Sequence, residues 1–269
     1  GKQMSWLFNL YETYEANLDQ VGKIEKKPNG QEFTLLPVSH TTQTAHIEVE
    51  ITEDGQFHSA FLITDKNDAI TLIPCTEDSA SRTSKPVPYP LHDKLNYVAG
   101  DYVTFGGKTG KPFEAYIQQL KEWAMSPYAT SKIKSIYKYL SQRRLIKDLV
   151  QAGILALDEN HRLIKKWNQK YESLYETKPA IFSVVVGEQD SAFIRFNVYS
   201  PDKVLRKVWK DPEIYNSFIR FYQEKLGNED YCYVTGKKMS TVEKHANKIR
   251  NSADKAKLIS ANDSNGFTY

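Results

Sequence analysis

From Ala45 to Ile51 apolar and polar side chains alternate without a break. Ala45, Ile47, Val49 and Ile51 fall on one face, and His46, Glu48 and Glu50 on the other. A period of two fits an extended strand with one buried and one wetted face, and it does not fit a helix. Glu53-Asp54-Gly55 then gives a hairpin turn signal, and Phe57 to Ile63 supplies the returning strand. Phe33 to Val38 and Ala69 to Ile73 read as further short strands, so the region after the Pro28-Asn29-Gly30 turn is an antiparallel sheet. Ahead of it, residues 4–18 read as an amphipathic helix. Ser5 can serve as N-cap, and Leu7, Leu10, Tyr11, Tyr14 and Leu18 make one apolar face.

From Lys111 the pattern turns helical. Helices are expected over Phe113 to Met125, over Ser131 to Val150 with Gly153 as the stop, over residues 161–175, and from Pro212 to Leu226. Ile181 to Val186 and Ala192 to Val198 read as a small β-hairpin closed by Gly187-Glu188-Gln189-Asp190. The expected class is therefore α+β: an N-terminal helix and antiparallel sheet with long irregular loops, then a mostly helical region containing that hairpin. The expected division is 1–110 and 111–269. The abrupt ending at Phe267-Thr268-Tyr269 suggests that both halves are the N-terminal part of a longer protein, and Gly1-Lys2-Gln3 reads as an appended leader.

Residues 74–110 fit neither period. They hold Pro74, Pro86, Pro88 and Pro90, and Gly100, Gly106, Gly107 and Gly110. So long an irregular connection inside a compact domain is uncommon and is usually functional or disordered. Its first part, Pro74 to Ser84, gathers hydroxyl side chains and Arg82 directly after a strand. Such donors can grip phosphate oxygens or base edges. The same residues are ordinary turn formers, so a capped surface turn is an equal reading.

Composition narrows the functional classes. With 40 % hydrophobic residues and 12 % aromatics the chain is globular rather than disordered. Two cysteines do not make a disulfide framework, which favours a reducing cytoplasm. No apolar run is long enough to cross a membrane, and Trp6 to Leu10 is cut short by Glu12 and Glu15, so no signal peptide is read. Charge is unevenly placed: 5 Lys/Arg against 11 Asp/Glu in residues 1–70, and 31 against 22 in residues 71–269. A basic remainder of this kind can meet a polyanion, although such asymmetry also serves solubility.

Catalytic signals are weak. Gly106-Gly107-Lys108-Thr109 lacks the first glycine that a phosphate-cradling loop requires, and no Gly-x-Ser-x-Gly elbow occurs. The six histidines form no paired metal motif, and Cys232 with His245 supplies only two ligands, so no metal or other cofactor is expected. Polyanion signals are stronger. Lys132, Lys134, Lys138, Arg143, Arg144 and Lys147 face only Asp148. Lys203, Arg206, Lys207 and Lys210 surround Trp209, and residues 237–257 hold seven cations against Glu243 and Asp254. Each run alone is most often a solvated helix face; three together favour nucleic acid.

Several segments carry a family resemblance: the opening Met4-Ser5-Trp6-Leu7, Leu36 to Ile47, Ile73-Pro74-Cys75-Thr76-Glu77-Asp78-Ser79-Ala80-Ser81-Arg82-Thr83-Ser84, Pro90 to Tyr102, Cys232-Tyr233-Val234-Thr235-Gly236 and Ala256 to Asp263. They resemble, in order, the N-terminal part of the large subunit of the type I-C CRISPR Cascade surveillance complex, an antiviral defence assembly. The resemblance implies a prokaryotic cytoplasmic subunit placed at the 5′ end of the crRNA. It would bind double-stranded target DNA, recognise the protospacer-adjacent motif and help start R-loop formation. It also implies other Cascade subunits as partners, recruitment of the Cas3 nuclease-helicase for cutting, and no enzymatic activity in this chain. The DNA-binding set expected from loop, basic runs and resemblance is Thr76, Ser79, Ser81, Arg82, Thr83, Lys85, Lys94, Gly106, Gly107, Lys108, Lys132, Arg143, Arg144, Lys248, Arg250, Lys257 and Asn262. Two other readings stay open: a structural subunit mainly contacting crRNA and neighbouring subunits, and an intrinsic DNA nuclease.

Overall fold

The computed structural model describes residues 24–26, 32–83, 85–233 and 258–260. The expected helix over residues 4–18 and the basic tail therefore lie outside the described residues. The class is α+β. β1 (Ile24–Lys26), β2 (Glu32–Leu35) and β9 (Leu258–Ser260) form an antiparallel sheet with β2 in the middle. β3 (His40–Thr44) and β6 (Ile70–Pro74) pair antiparallel, with His40 opposite Pro74. The third sheet runs in the order β5 (Phe57–Leu62), β4 (Ile47–Thr52), β8 (Phe193–Tyr199), β7 (Asp93–Lys94).

β4 is the strand anticipated from the alternation, but its second face is not wetted throughout, because Glu48 is buried against Arg195. Ile47, Val49 and Ile51 are fully buried. Its turn closes as expected: the Thr52 amide donates to the Gln56 carbonyl at 2.8 Å. Gly55 sits at φ +80 with the Lys138 side chain so close that a Cβ would lie 2.8 Å from it. Glycine is required there both by the left-handed backbone and by the packing.

Three expectations need correction. First, Ile181–Val184 is one helical turn, not a hairpin strand, and β8 instead pairs parallel with β4, Ile47 opposite Ile194. β8 is buried along all but its last residue, as a central strand covered on both faces must be. Its polar residues are satisfied inside. The Arg195 guanidinium donates to Glu48 Oε1 at 3.0 and 2.8 Å, to the Asp68 carbonyl at 2.6 Å and to Thr71 Oγ1 at 3.0 Å, and lies 4.0 Å above the Trp209 ring.

Second, the helix expected over Ser131 to Val150 is two: Ser131–Leu140 and Leu145–Gln151. The break falls at Arg143, with φ 57. Gly100 packs so tightly there that a Cβ would come within 2.9 Å of the Arg143 Cα. Asp101 then starts the second helix by accepting from the Ile146 and Lys147 amides at 3.0 Å each. A cap delivered from forty-five residues away thus replaces the helix continuity that local pattern suggests. Third, residues 161–175 form turns with a single 3-10 turn at Gln169–Tyr171. The Asp158 carboxylate takes the Asn160 and Arg162 amides, which bends the chain away from a helix.

The helices that cover the sheet follow the expected spacing. Lys111–Ala124 buries Phe113, Tyr116, Leu120 and Trp123, and Pro212–Tyr233 buries Ile214, Phe218 and Phe221. One apolar cluster joins Ile47 and Val49 to Trp123, Ile136, Phe196 and Phe218, so the expected boundary near residue 110 runs through a shared core. Among the described residues no helix is long and apolar enough to cross a membrane.

Two histidines are enclosed in this core. His40 donates through Nδ1 to the Val38 carbonyl at 2.8 Å and packs edge-on against Tyr215 and Phe218. His92 accepts the Phe196 amide at 3.1 Å. The Nε2 atom of each is buried without a partner. Burial lowers His40 from 6.5 to about 4 and His92 to about 3. The unfolded chain takes up these protons below pH 6.5 while the folded chain refuses them, so stability is complete above 6.5 and falls through that window. The unfolding midpoint is expected to drop as pH falls from 6.5 towards 4, each histidine adding up to ~1.4 kcal/mol per pH unit. His40→Leu should flatten that pH dependence in thermal melts. An unchanged slope would show that the ring is not the titrating group.

Candidate nucleic-acid interface

The segment after β6 begins with a local cap. Thr76 Oγ1 accepts the Ser79 amide at 3.1 Å, and Ser79 Oγ accepts the Thr76 amide at 2.7 Å, a capping box around the short helix Glu77–Ala80. Ser79 is fully buried, and the Ser81 hydroxyl donates to the Glu77 carbonyl at 3.1 Å. Arg82 turns inward. Its two terminal nitrogens bind the two Asp93 carboxylate oxygens at 2.8 Å each, one also reaches the Val87 carbonyl at 3.0 Å, and the guanidinium lies 4.1 and 4.4 Å above Tyr89 and Tyr97.

This placement revises the expected role of the loop. Thr76 and Ser79 hold a helix end, and Arg82 holds the loop against the body of the protein. Burial disfavours the charge on Arg82, but the hydrogen bonds and charge of Asp93 outweigh it and raise the guanidinium pKa. Asp93 is fully buried, which pushes its carboxyl up, while Arg82 and the Lys94 and Tyr89 amides work against that shift. Thr83 and Lys85 remain exposed on the pinned loop.

A second group gathers around residues 100–110. Gly106 has φ +98 and lies against the Arg162 side chain, and the Leu163 amide donates to the Phe105 carbonyl at 2.9 Å. At Gly107 a Cβ would come within 2.3 Å of the Tyr102 ring, whose hydroxyl donates to Asp190 at 2.5 Å. The loop walls a cleft of about 280 Å³ lined by Asn96, Gly106, Gly107, Lys108, Thr109 and Lys165 together with the carboxylates of Glu188 and Asp190. Lys108, Arg162 and Lys165 are exposed. The Arg143 elbow packs on Gly100, at the start of the same segment, but neither Arg143 nor Arg144 lines the cleft, so the structure gathers Gly106, Gly107 and Lys108 there without them.

The remaining cations are engaged to different degrees. Arg143 binds Glu114 at 2.8 Å and Arg144 binds Asp148 at 3.1 Å. The Arg143 and Glu114 side chains are 50 and 59 % exposed, and a pair so hydrated holds its partner weakly enough to exchange it for phosphate. Lys132 is different: it is mostly buried and binds Asp211 at 2.6 Å and the Arg206 carbonyl at 2.7 Å. It anchors the fold beside the Pro212–Tyr233 helix rather than the 100–110 loop. Lys94 is exposed but opens on another groove, with His46 and Lys66. Lys248, Arg250, Lys257 and Asn262 lie outside the described residues. Sequence reading missed Asn96, Arg162 and Lys165. Only the doublet Lys165-Lys166 was visible as a charge signal.

A family model described as CRISPR-associated protein (Cas_Csd1) matches residues 10–269. No curated protein matches the chain.

If Arg82 is a pin, Arg82→Ala leaves a fully buried carboxylate unpaired and should cost about 3–5 kcal/mol of unfolding free energy. Removing Asp93 as well should recover part of that loss in a double-mutant cycle by chemical denaturation. Unchanged stability in the single variant would return Arg82 to the set of free contacts.

Proposed function

Because the chain belongs to the Cas_Csd1 family of CRISPR-associated proteins, we propose that it is the part of the type I-C Cascade large subunit that binds double-stranded DNA, recognises the protospacer-adjacent motif and helps open the duplex. The observation that carries this reading is the cleft beside the 106–109 loop. Lys108 and Lys165 line it, and exposed Arg162 packs on the loop. Such a cluster supplies the phosphate contacts on which duplex affinity rests. The glycines make room for the Tyr102 ring and the Arg162 side chain, so the loop is fixed by that packing and by the Phe105 carbonyl rather than left to find its shape on binding. The loop carrying Thr83 and Lys85 is a second exposed contact. On this reading cleavage belongs to the recruited Cas3 nuclease-helicase.

One observation favours the structural alternative. Arg82, Lys132, Arg143 and Arg144, four of the expected DNA contacts, are each bound to a carboxylate of this chain. Cations engaged in this way are less able to grip duplex phosphates, which weighs toward a subunit that mainly contacts its neighbours.

The two readings separate on one pair of substitutions. Changing Lys108 and Lys165 together to glutamate should weaken binding to duplex DNA at least ~10-fold and flatten the dependence of log affinity on log salt by about 1–2. The measurement is a salt series of duplex-binding titrations with the full chain. If affinity and slope both stay at the parent values while co-purification with other Cascade subunits weakens, the structural reading stands instead.

A further inference from the structure

Asn96 lines the same cleft and is explained by nothing in the fold. It sits on the helical turn Leu95–Val98 between Leu95 and Tyr97, both buried, and is itself only half-buried. Among the described residues its amide has no hydrogen-bond partner, and neither do the ammonium groups of Lys108 and Lys165. The turn that carries it is fixed from two sides. The Leu95 amide donates to the Ala192 carbonyl at 2.8 Å, and Asp93, two residues earlier, is held by Arg82 and by the Tyr89 and Lys94 amides. Tyr97 is further clamped under the Arg82 guanidinium. A free amide on so firmly held a turn is pre-set for a ligand rather than for packing.

The chemistry of the cleft indicates which ligand. A phosphate site would collect donors alone. Here the lining mixes a donor-and-acceptor amide with the carboxylates of Glu188 and Asp190, and lysines stand at Lys108 and Lys165. The Asp190 carboxylate already accepts the Tyr102 hydroxyl, which leaves the Asn96 amide as the side chain able to offer a paired donor and acceptor to a flat edge. An asparagine amide matches the N6 donor and N7 acceptor of adenine, and lysines at the rim suit the flanking phosphates.

We propose that Asn96 is the specificity-determining residue of this cleft, reading one adenine edge of the duplex beside the target while Lys108 and Lys165 hold the adjacent phosphates. This rests on the DNA-binding reading of the same cleft. The test uses the full chain with duplexes randomised at the bases beside the target, and compares the parent with Asn96→Ala, Asn96→Gln and the Lys108/Lys165 double alanine variant. Asn96→Ala should lose preference at one base position by roughly 10-fold, the discrimination a single bidentate contact supplies, with affinity for other sequences kept. Asn96→Gln should retain part of the preference. Thermal melts of Asn96→Ala should match the parent, since the amide bonds nothing in the fold. An unaltered preference profile in Asn96→Ala, or an equal loss across all sequences, would overturn the proposal. The lysine double variant reports separately: unchanged affinity there removes the DNA-binding reading itself, whatever Asn96 does.

Discussion

The Asp93 carboxylate organises this side of the molecule. It is fully buried, carries four hydrogen bonds, and lies on the short strand that pairs with β8 at Ile194. Through Arg82 it ties the proline-rich loop down, and through the Tyr89 amide it fixes where that loop returns. Two residues later the chain turns to present Asn96. A buried carboxylate is costly unless all its oxygen lone pairs are used. That cost is what makes the arrangement specific: other placements of residues 82–97 would leave the charge bare.

This division separates cations that hold the protein together from cations that face water. Arg82, Arg195 and Lys132 have well-placed partners and little exposure. Lys108, Lys165 and Arg162 have exposure and no acidic partner among the described residues. Arg143 and Arg144 stand between, bound but hydrated. A surface read from charge counts alone merges the three kinds, whereas only the second and third can exchange water and carboxylate for phosphate without loss to the fold.

What the sequence makes legible here is whatever depends on nearest neighbours. The alternation at 45–51, the turn at Gly55 and the Phe113, Tyr116, Leu120 and Trp123 face were all readable, because each states its own period. The break at Arg143 was not, since the residues around it contain neither glycine nor proline. The reason for it is Gly100 and Asp101, distant in the chain. The parallel placement of β8 was hidden similarly: Arg195 and Asn197 give Phe193 to Tyr199 the look of a half-wetted strand, yet both are buried against partners on β4 or in the Val208 turn. Of the proposed cleft, Gly106, Gly107 and Lys108 could be picked out in the sequence while Asn96, Arg162 and Lys165 could not, and Arg82 was misread, because a lone arginine in a hydroxyl-rich loop looks like a contact until its carboxylate is located.

The parallel pairing of β4 with β8 has a consequence for how the chain is made. More than a hundred residues separate the partners, and β8 cannot dock until most of the chain has been synthesised. During that interval one edge of β4 offers unpaired amides and carbonyls beside the apolar row of Ile47, Val49 and Ile51, the kind of edge on which nascent chains associate with one another. Glutamates at 48 and 50 put negative charge on the other face of the same strand, and charge on an unpaired strand disfavours such association until Arg195 and Lys207 arrive to meet it.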